Sequence, residues 1–275
     1  MARRFKQVDV FTDEPFLGNP VAVVIDAEGL DTATMQRIAA WTNLSETTFL
    51  LPSAAADYKL RIFTPLQELP FAGHPTLGSA HAALEAGFVA KKKSLRQECL
   101  AGIMELSVEG AEIFVRGPQP KLAEIDSARL ARTLGVPAKG FLRVDVGAIW
   151  VIAEVASPDA LAKARPDMTA LADASKALDI AGVTLFAESA KGEMHVRSFA
   201  PAHAIPEDPV CGTGNLSVAA YLRHTGQLER FGSRYLARQG MQLGRAGKVS
   251  VRVEGDAVRI GGPCVTCIDG HVSLT

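Results

Sequence analysis

Disulfide scaffolds are excluded first: four cysteines in 275 residues (Cys99, Cys211, Cys264 and Cys267) are too few for a cross-linked framework. Aromatic residues make up 6%, which leaves few stacking platforms for single-stranded nucleic acid. No charge of one sign is in excess, since 29 Lys and Arg face 30 Asp and Glu, for a formal net charge of −1. A general pull toward nucleic acid or an anionic membrane is therefore not expected. No apolar run reaches the roughly 18 residues a spanning helix needs. Met1–Val10 carries no continuous apolar stretch of the secretory kind, so a reducing cytoplasm is the expected compartment. The phosphate-loop pattern, Gly-x-Gly-x-x-Gly and His-Glu-x-x-His are all missing, which removes the usual routes to nucleotide and zinc chemistry. Cys264-Val-Thr-Cys267 has metal or redox spacing, but no second Cys pair or nearby His pair supports it, so these are read as small strand residues.

What remains is a globular composition, 48% hydrophobic and 21% charged, on a length that suits two domains of about 100–150 residues. Short β-rich runs dominate: Phe5–Thr12 in part, Val21–Ile25, Thr47–Leu51, Tyr58–Phe63, Leu142–Val155, Val183–Glu188, Glu193–Phe199, Lys248–Val253 and Ala257–Ile260. Helical patterns fall at Thr32–Thr42, Pro75–Ala86, Ser127–Leu134, Pro158–Lys163, Met168–Leu178 and Asn215–Thr225. The segment Gly117-Pro-Gln-Pro120 marks the expected boundary, giving lobes 1–118 and 119–275.

Self-comparison adds the most. Glu68–Gly87 set against Glu207–Gly226, an offset of 139, shares Glu, Pro, Gly, Leu, Ala and Gly, six positions in twenty. Ordinary composition would give about one or two. Upstream, Arg61-Ile-Phe-Thr-Pro65 resembles Arg197-Ser-Phe-Ala-Pro201. Each half thus predicts a strand, a loop, a Gly-containing turn and a helix closed by glycine, Gly87 in one and Gly226 in the other. The expectation is an internal duplication with two similar α+β lobes.

The turns Ala72-Gly-His-Pro-Thr76 and Cys211-Gly-Thr-Gly-Asn215 deliver small residues to helix starts. A helix N-terminus has unpaired N–H groups and partial positive charge, so two such ends facing across a cleft would grip an acidic substrate or an enolate-like charge. Two ordinary capped helices are the bland alternative. The candidate titratable groups are Glu46, in Asn43-Leu-Ser-Glu-Thr-Thr-Phe-Leu50, together with His74 and Asp208. Each also has a structural reading: a loop charge, a helix-start residue and a turn former before Pro209. Spacing alone does not choose among them.

The blocks Phe11-Thr12 with Gly18-Asn-Pro-Val-Ala-Val23, Asn43-Leu-Ser-Glu-Thr47, Arg61-Ile-Phe-Thr-Pro65, Pro70-Phe-Ala-Gly-His-Pro-Thr76 and Glu207-Asp-Pro-Val210 with Gly212 run through nearly the whole chain. In this order and spacing they resemble the PhzF family of phenazine-biosynthesis isomerase-like proteins, similar in fold to diaminopimelate epimerase. The resemblance implies two lobes, each a β-sheet wrapped around a central helix, with the active site between them. It implies a cofactor-independent isomerase, with no metal, that moves a proton on a small carboxylic acid. By motif match Glu46 is the general acid/base, and His74 and Asp208 flank the substrate. Gly73, Gly212, Thr213 and Asn19 are substrate-binding, and a homodimer is the common assembly. One departure stands out: Cys211-Gly-Thr-Gly resembles the second-half cysteine motif of two-base racemases, while the matching first-half position is Ala72. Paired-thiol chemistry is thereby disfavoured. Cys211 is then either a single working base, as in an amino-acid or hydroxy-acid epimerase, racemase or dehydratase, or a small packing residue. A non-catalytic small-acid binder is the remaining alternative.

Overall fold

Alternating apolar side chains become paired strands in the computed structural model, which describes residues 2–273. The chain divides into two units, Met1–Arg116 with Gly261–Thr275, and Gly117–Ile260.

The first unit holds β1 (Ala2–Val10), β2 (Asn19–Val24), α1 (Thr32–Thr42), β3 (Thr47–Leu51), β4 (Tyr58–Phe63), β5 (Glu68–Leu69), α2 (Gly73–Glu85), β6 (Ser94–Cys99), β7 (Gly102–Glu109) and β8 (Glu112–Arg116). β1 and β2 pair antiparallel; β2 and β3 pair parallel, with α1 as the crossover. β4 pairs antiparallel with β3, then with β5 at one end and, in parallel, with β6 at the other. β6, β7 and β8 form an antiparallel meander.

The second unit holds β9 (Lys121–Ala123), α3 (Ala128–Thr133), β10 (Ala138–Asp145), β11 (Ile149–Val155), α4 (Pro158–Ala162), α5 (Met168–Ala177), β12 (Gly182–Ala190), β13 (Glu193–Ala200), β14 (Ile205–Asp208), α6 (Gly212–His224), α7 (Leu228–Phe231), β15 (Arg234–Gln239) and β16 (Gly247–Glu254). Its pairings repeat those of the first: β10 with β11 antiparallel, β11 with β12 parallel, β12 with β13 antiparallel. β13 then meets β14 antiparallel and β15 parallel, and β15 meets β16 antiparallel. The duplication legible in twenty residues therefore extends through the strand order of both units.

Each unit is built around one helix. Ten of the thirteen residues of α2 are buried, and ten of the thirteen of α6. The strands against α2 are β1, β2, β3, β4 and β8; those against α6 are β10, β11, β12 and β16. A helix covered on nearly every side must be slim, and both are rich in Gly, Ala and Ser. At Gly78 an added Cβ would lie 2.5 Å from Val21 Cγ1 and 2.8 Å from Val10 Cγ2, so only glycine lets those strands close over the helix. Both helices end as expected, on Gly87 (φ 67°) and Gly226 (φ 71°). The following amides close the last turn, Phe88 N–H to Ala83 O at 2.9 Å and Gln227 N–H to Leu222 O at 2.8 Å.

A second duplicated device sits where the sheet forks. Along β4 the pairing with β6 covers Tyr58 and Lys59, and that with β5 covers Ile62 and Phe63. Arg61 stands at the fork, stacks 5.1 Å over Phe63 and donates to both oxygens of Glu68 at 2.7 Å. In β13 the partners change between Val196 and Ser198. There Arg197 stacks 4.9 Å over Phe199 and donates to both oxygens of Glu207 at 2.9 and 2.8 Å. Its remaining nitrogen donates to Leu161 O and Ala164 O. Each fork sends the chain away from the sheet toward the start of the central helix.

Several boundaries differ from the sequence reading. The central helices start at Gly73 and Gly212, a little earlier than Pro75 and Asn215, because the turn glycines already carry helical backbone. Leu142–Val155 is two strands turning at Gly147 (φ 95°). The strand from Ala257, β17, runs to Ser273. From Gly261 onward β17 belongs to the first unit rather than closing a 119–275 lobe. Nine residues of β1 pair with it, and buried Lys6 binds Asp269 at 2.7 Å and Glu85 at 2.9 Å. Such pairing along a full strand outweighs proximity in sequence. Among the described residues, no helix is long and apolar enough to cross a membrane.

Candidate active site

In the first unit three expected residues meet. α1 starts on Asp31, whose side chain caps Thr34 N–H, and stops at Asn43, which takes the left-handed conformation (φ 55°). That stop turns the chain so that Ser45 and Glu46 lead into β3. Glu46 is only 9% exposed, and its Oε2 lies 3.3 Å from His74 Nε2. His74, 4% exposed, is the second residue of α2; Asn19, 1% exposed, opens β2 and contacts His74 Nδ1 through Nδ2 at 3.3 Å. Glu46, His74 and Asn19 therefore form a row. Burial pushes the Glu46 carboxyl up from its ordinary 4.5 to about 7, against a smaller opposing hydrogen bond from Ser45. A carboxyl so tuned divides between acid and base near neutral pH, which suits a group that takes a proton and returns it.

Gly73 begins α2 after Ala72, a cap residue with no side-chain hydrogen bond. The start of this helix thus presents backbone rather than a capping hydroxyl or carboxylate. The route to Asn19 is strained: Phe11 (φ 66°) and Phe16 (φ 72°) take left-handed conformations that cost bulky residues on the order of 1–3 kcal/mol. Their amides are anchored on β17, Phe11 N–H donating to the Cys264 thiol and Phe16 N–H to Cys267.

The second unit assembles the other expected residues around the start of α6. Cys211 caps the helix, its sulfur accepting from Gly214 N–H at 3.3 Å. Desolvation, with the nearby Asp208 charge, pushes this buried thiol well above its ordinary range. A thiol held protonated and used as a helix cap fits packing, and Cys211 as a base is disfavoured. Asp208, half-buried, accepts from Val210 N–H at 3.1 Å, as a turn former does. Gly212 is the first helical residue, and Thr213 Oγ1 accepts a 3.0 Å hydrogen bond from Trp150 Nε1.

Two contributors lay outside the sequence reading. Trp150, on β11, fixes the Thr213 hydroxyl. Gln239, on β15, receives Cys211 N–H at 3.2 Å and Asn215 Nδ2 at 3.1 Å and donates to Asp208 O at 3.0 Å. The first unit has the counterpart Gln97, which accepts from Tyr58 OH and donates to Thr76 Oγ1. A polar residue at an inward position of a strand was the available signal.

A surface cavity of about 680 Å³ lies beside Glu28, Lys59, Arg61, Glu68 and Glu98 and contains none of these groups. Four of its charges are already paired, Arg61 with Glu68 and Lys59 with Glu98. Chemistry therefore points to the buried row rather than to this hollow.

The family model for phenazine biosynthesis-like proteins (PhzC-PhzF) matches residues 8–270. The chain is 39% identical over 288 residues to antisense-enhancing sequence 1 of Schizosaccharomyces pombe, covering 97% of each. It is 36% identical over 282 residues to trans-2,3-dihydro-3-hydroxyanthranilate isomerase of Pseudomonas fluorescens, covering 97% of this chain and 98% of that one. Among solved structures, a PhzF-family phenazine biosynthesis protein from Bacillus anthracis aligns over 100% of both chains with TM-score 0.88 and 27% identity. A hydroxyproline epimerase from Agrobacterium vitis shares the fold at TM-score 0.69 and 17% identity, covering 99% of this chain and 93% of that one. With sheets wrapped around two central helices and a family match through almost its whole length, this chain belongs to the phenazine biosynthesis-like PhzC-PhzF family of isomerases.

Proposed function

We propose that the protein is a cofactor-independent isomerase that moves a proton between two carbons of a small carboxylic acid, with Glu46 as general acid/base. The observation that carries this reading is the buried Glu46–His74 pair, its carboxyl raised to about 7 and its oxygen 3.3 Å from an imidazole nitrogen. Glu46 takes a proton from carbon: the C–H bond breaks, an O–H bond forms, and the electron pair stays on the substrate as an enolate-like charge. Glu46 then delivers a proton, open to exchange with solvent while it sits on the carboxyl, to another carbon, so no oxidant or reductant is consumed. His74 steadies the carboxylate during the exchange.

A helix start binds an acidic group through amide N–H groups and the partial positive charge of the helix. We assign this role to Gly73 in the first unit and to Gly212 with Thr213 in the second, and substrate orientation to Asp208. The name of the Pseudomonas fluorescens relative makes trans-2,3-dihydro-3-hydroxyanthranilate the first acid to assay.

The test is solvent-deuterium exchange into a panel of small carboxylic acids. Incorporation into one acid, with a shifted double bond or inverted centre in the product, supports the reading and names the substrate class. Saturable binding without exchange throughout the panel would favour a non-catalytic acid binder.

A further inference from the structure

The three residues of the buried row bear on one another in a defined direction. Asn19 Nδ2, an amide that can only donate, faces His74 Nδ1 at 3.3 Å. A nitrogen that accepts on that side carries no proton, so the neutral ring carries its proton on Nε2. That nitrogen lies 3.3 Å from Glu46 Oε2, two buried atoms that face one another without a closed hydrogen bond. We propose that Asn19 is a positioning residue: it holds His74 as the Nε2–H tautomer, so that the ring turns a donor rather than an acceptor toward Glu46 Oε2 and steadies the carboxylate formed when the proton leaves.

The inference rests on Glu46 as the acid/base group and adds what holds the neighbouring ring in one tautomer. In the other tautomer Nε2 would be a bare acceptor facing the carboxylate, two acceptors in opposition. The carboxyl would then have to protonate on Oε2, and the proton would be held by the ring instead of facing the substrate.

The placement of Asn19 follows from its surroundings. It is 1% exposed and the first residue of β2, paired with Val10 at the end of β1. Gly18 before it has no room for a side chain, since an added Cβ would lie 2.4 Å from Val10 O. The two left-handed phenylalanines upstream shape the loop that brings the chain to this point. This strain is spent on setting a buried amide against an imidazole, which gives a physical reason for an Asn where the family resemblance implied direct substrate binding.

The experiment is long-range proton–nitrogen correlation on the intact chain with ¹⁵N-labelled histidine, the His74 signals assigned by their loss in His74→Gln. The expected spectrum shows a protonated Nε2 and a bare Nδ1. In Asn19→Ala the two tautomers should interconvert and the resolved pattern should collapse. Asn19→Asp keeps the size but replaces the donor by an acceptor, and should bring a proton to Nδ1. Turnover in both variants should fall by about 10-fold or more, part of the 10²–10⁴-fold that an acid/base group supplies, while KM changes little. A wild-type ring protonated on Nδ1 would overturn the proposal. So would an Asn19→Ala enzyme that keeps both the tautomer and turnover and only raises KM, which would make Asn19 a substrate contact. Failure of the Glu46 reading shows separately, as full turnover in Glu46→Gln whatever the tautomer.

Discussion

Glu46 should cost the folded chain stability at neutral pH. Its carboxyl is raised from 4.5 to about 7, so the native state holds its proton more tightly than the unfolded chain does. Below pH 4.5 both states are protonated and no penalty applies. Between pH 4.5 and about 7 the unfolded chain ionises while the native state keeps its proton, so stability falls across that window by about 3 kcal/mol in order of magnitude and levels off above it. Glu46→Gln removes this titration. The variant should be the more stable protein at pH 8 by up to that amount, with the difference closing near pH 4. Denaturant unfolding at the two pH values measures it, and a difference independent of pH would contradict the burial argument. Cys211→Ser should keep most of the turnover, because a hydroxyl can also accept from Gly214 N–H. A loss of several orders of magnitude in a folded Cys211→Ser enzyme would return the thiol to the chemistry.

At the scale of elements, the two Arg–Glu clamps have the same design but different burial, and their energies should differ accordingly. The Arg197 and Glu207 side chains are 5% and 9% exposed, whereas those of Arg61 and Glu68 are 20% and 19%. Removing one partner of a buried pair strands the other, at about 3–5 kcal/mol. Arg197→Ala should approach that loss, because Leu161 O and Ala164 O lose their donor as well. Arg61→Ala should cost about half as much, near the 1.5–3 kcal/mol of a charged hydrogen bond. Equal losses in chemical unfolding would show that burial does not set the difference. Gly78→Val should be worse than either, since the added carbons meet Val21 and Val10 with nowhere to go.

Elements also show where sequence reasoning succeeds and where it stops. The central helices were legible because small residues, a preceding turn and a closing glycine coincide. β6 and β15 escaped notice although their burial alternates, because inward positions carry Gln97 and Gln239. Their amides are satisfied by partners that only the folded chain supplies. At the site, Glu46 and His74 could be named from their motifs, but their 3.3 Å approach joins residues 28 positions apart. The Trp150–Thr213 bond, 63 positions apart, left no local mark at all.

For the molecule as a whole, the repeated pairing order explains why each unit has a central helix, a forked strand and a buried glutamine. It also explains how the two halves diverged: the first sets an imidazole and a carboxyl beside its helix start, and the second a capping thiol. The proposed acid/base work thereby falls to one half. The account predicts a rate that rises with pH as Glu46 loses its proton, with an apparent pKa of about 7 in kcat/KM.

The most direct test of that assignment is solvent-deuterium exchange by a folded Glu46→Gln enzyme on the acid that the wild type turns over. Gln nearly preserves the shape but cannot accept the proton. Exchange and turnover should fall together by at least about 10²-fold, while substrate affinity changes far less. Exchange at the wild-type rate would contradict the account and remove Glu46 as the base.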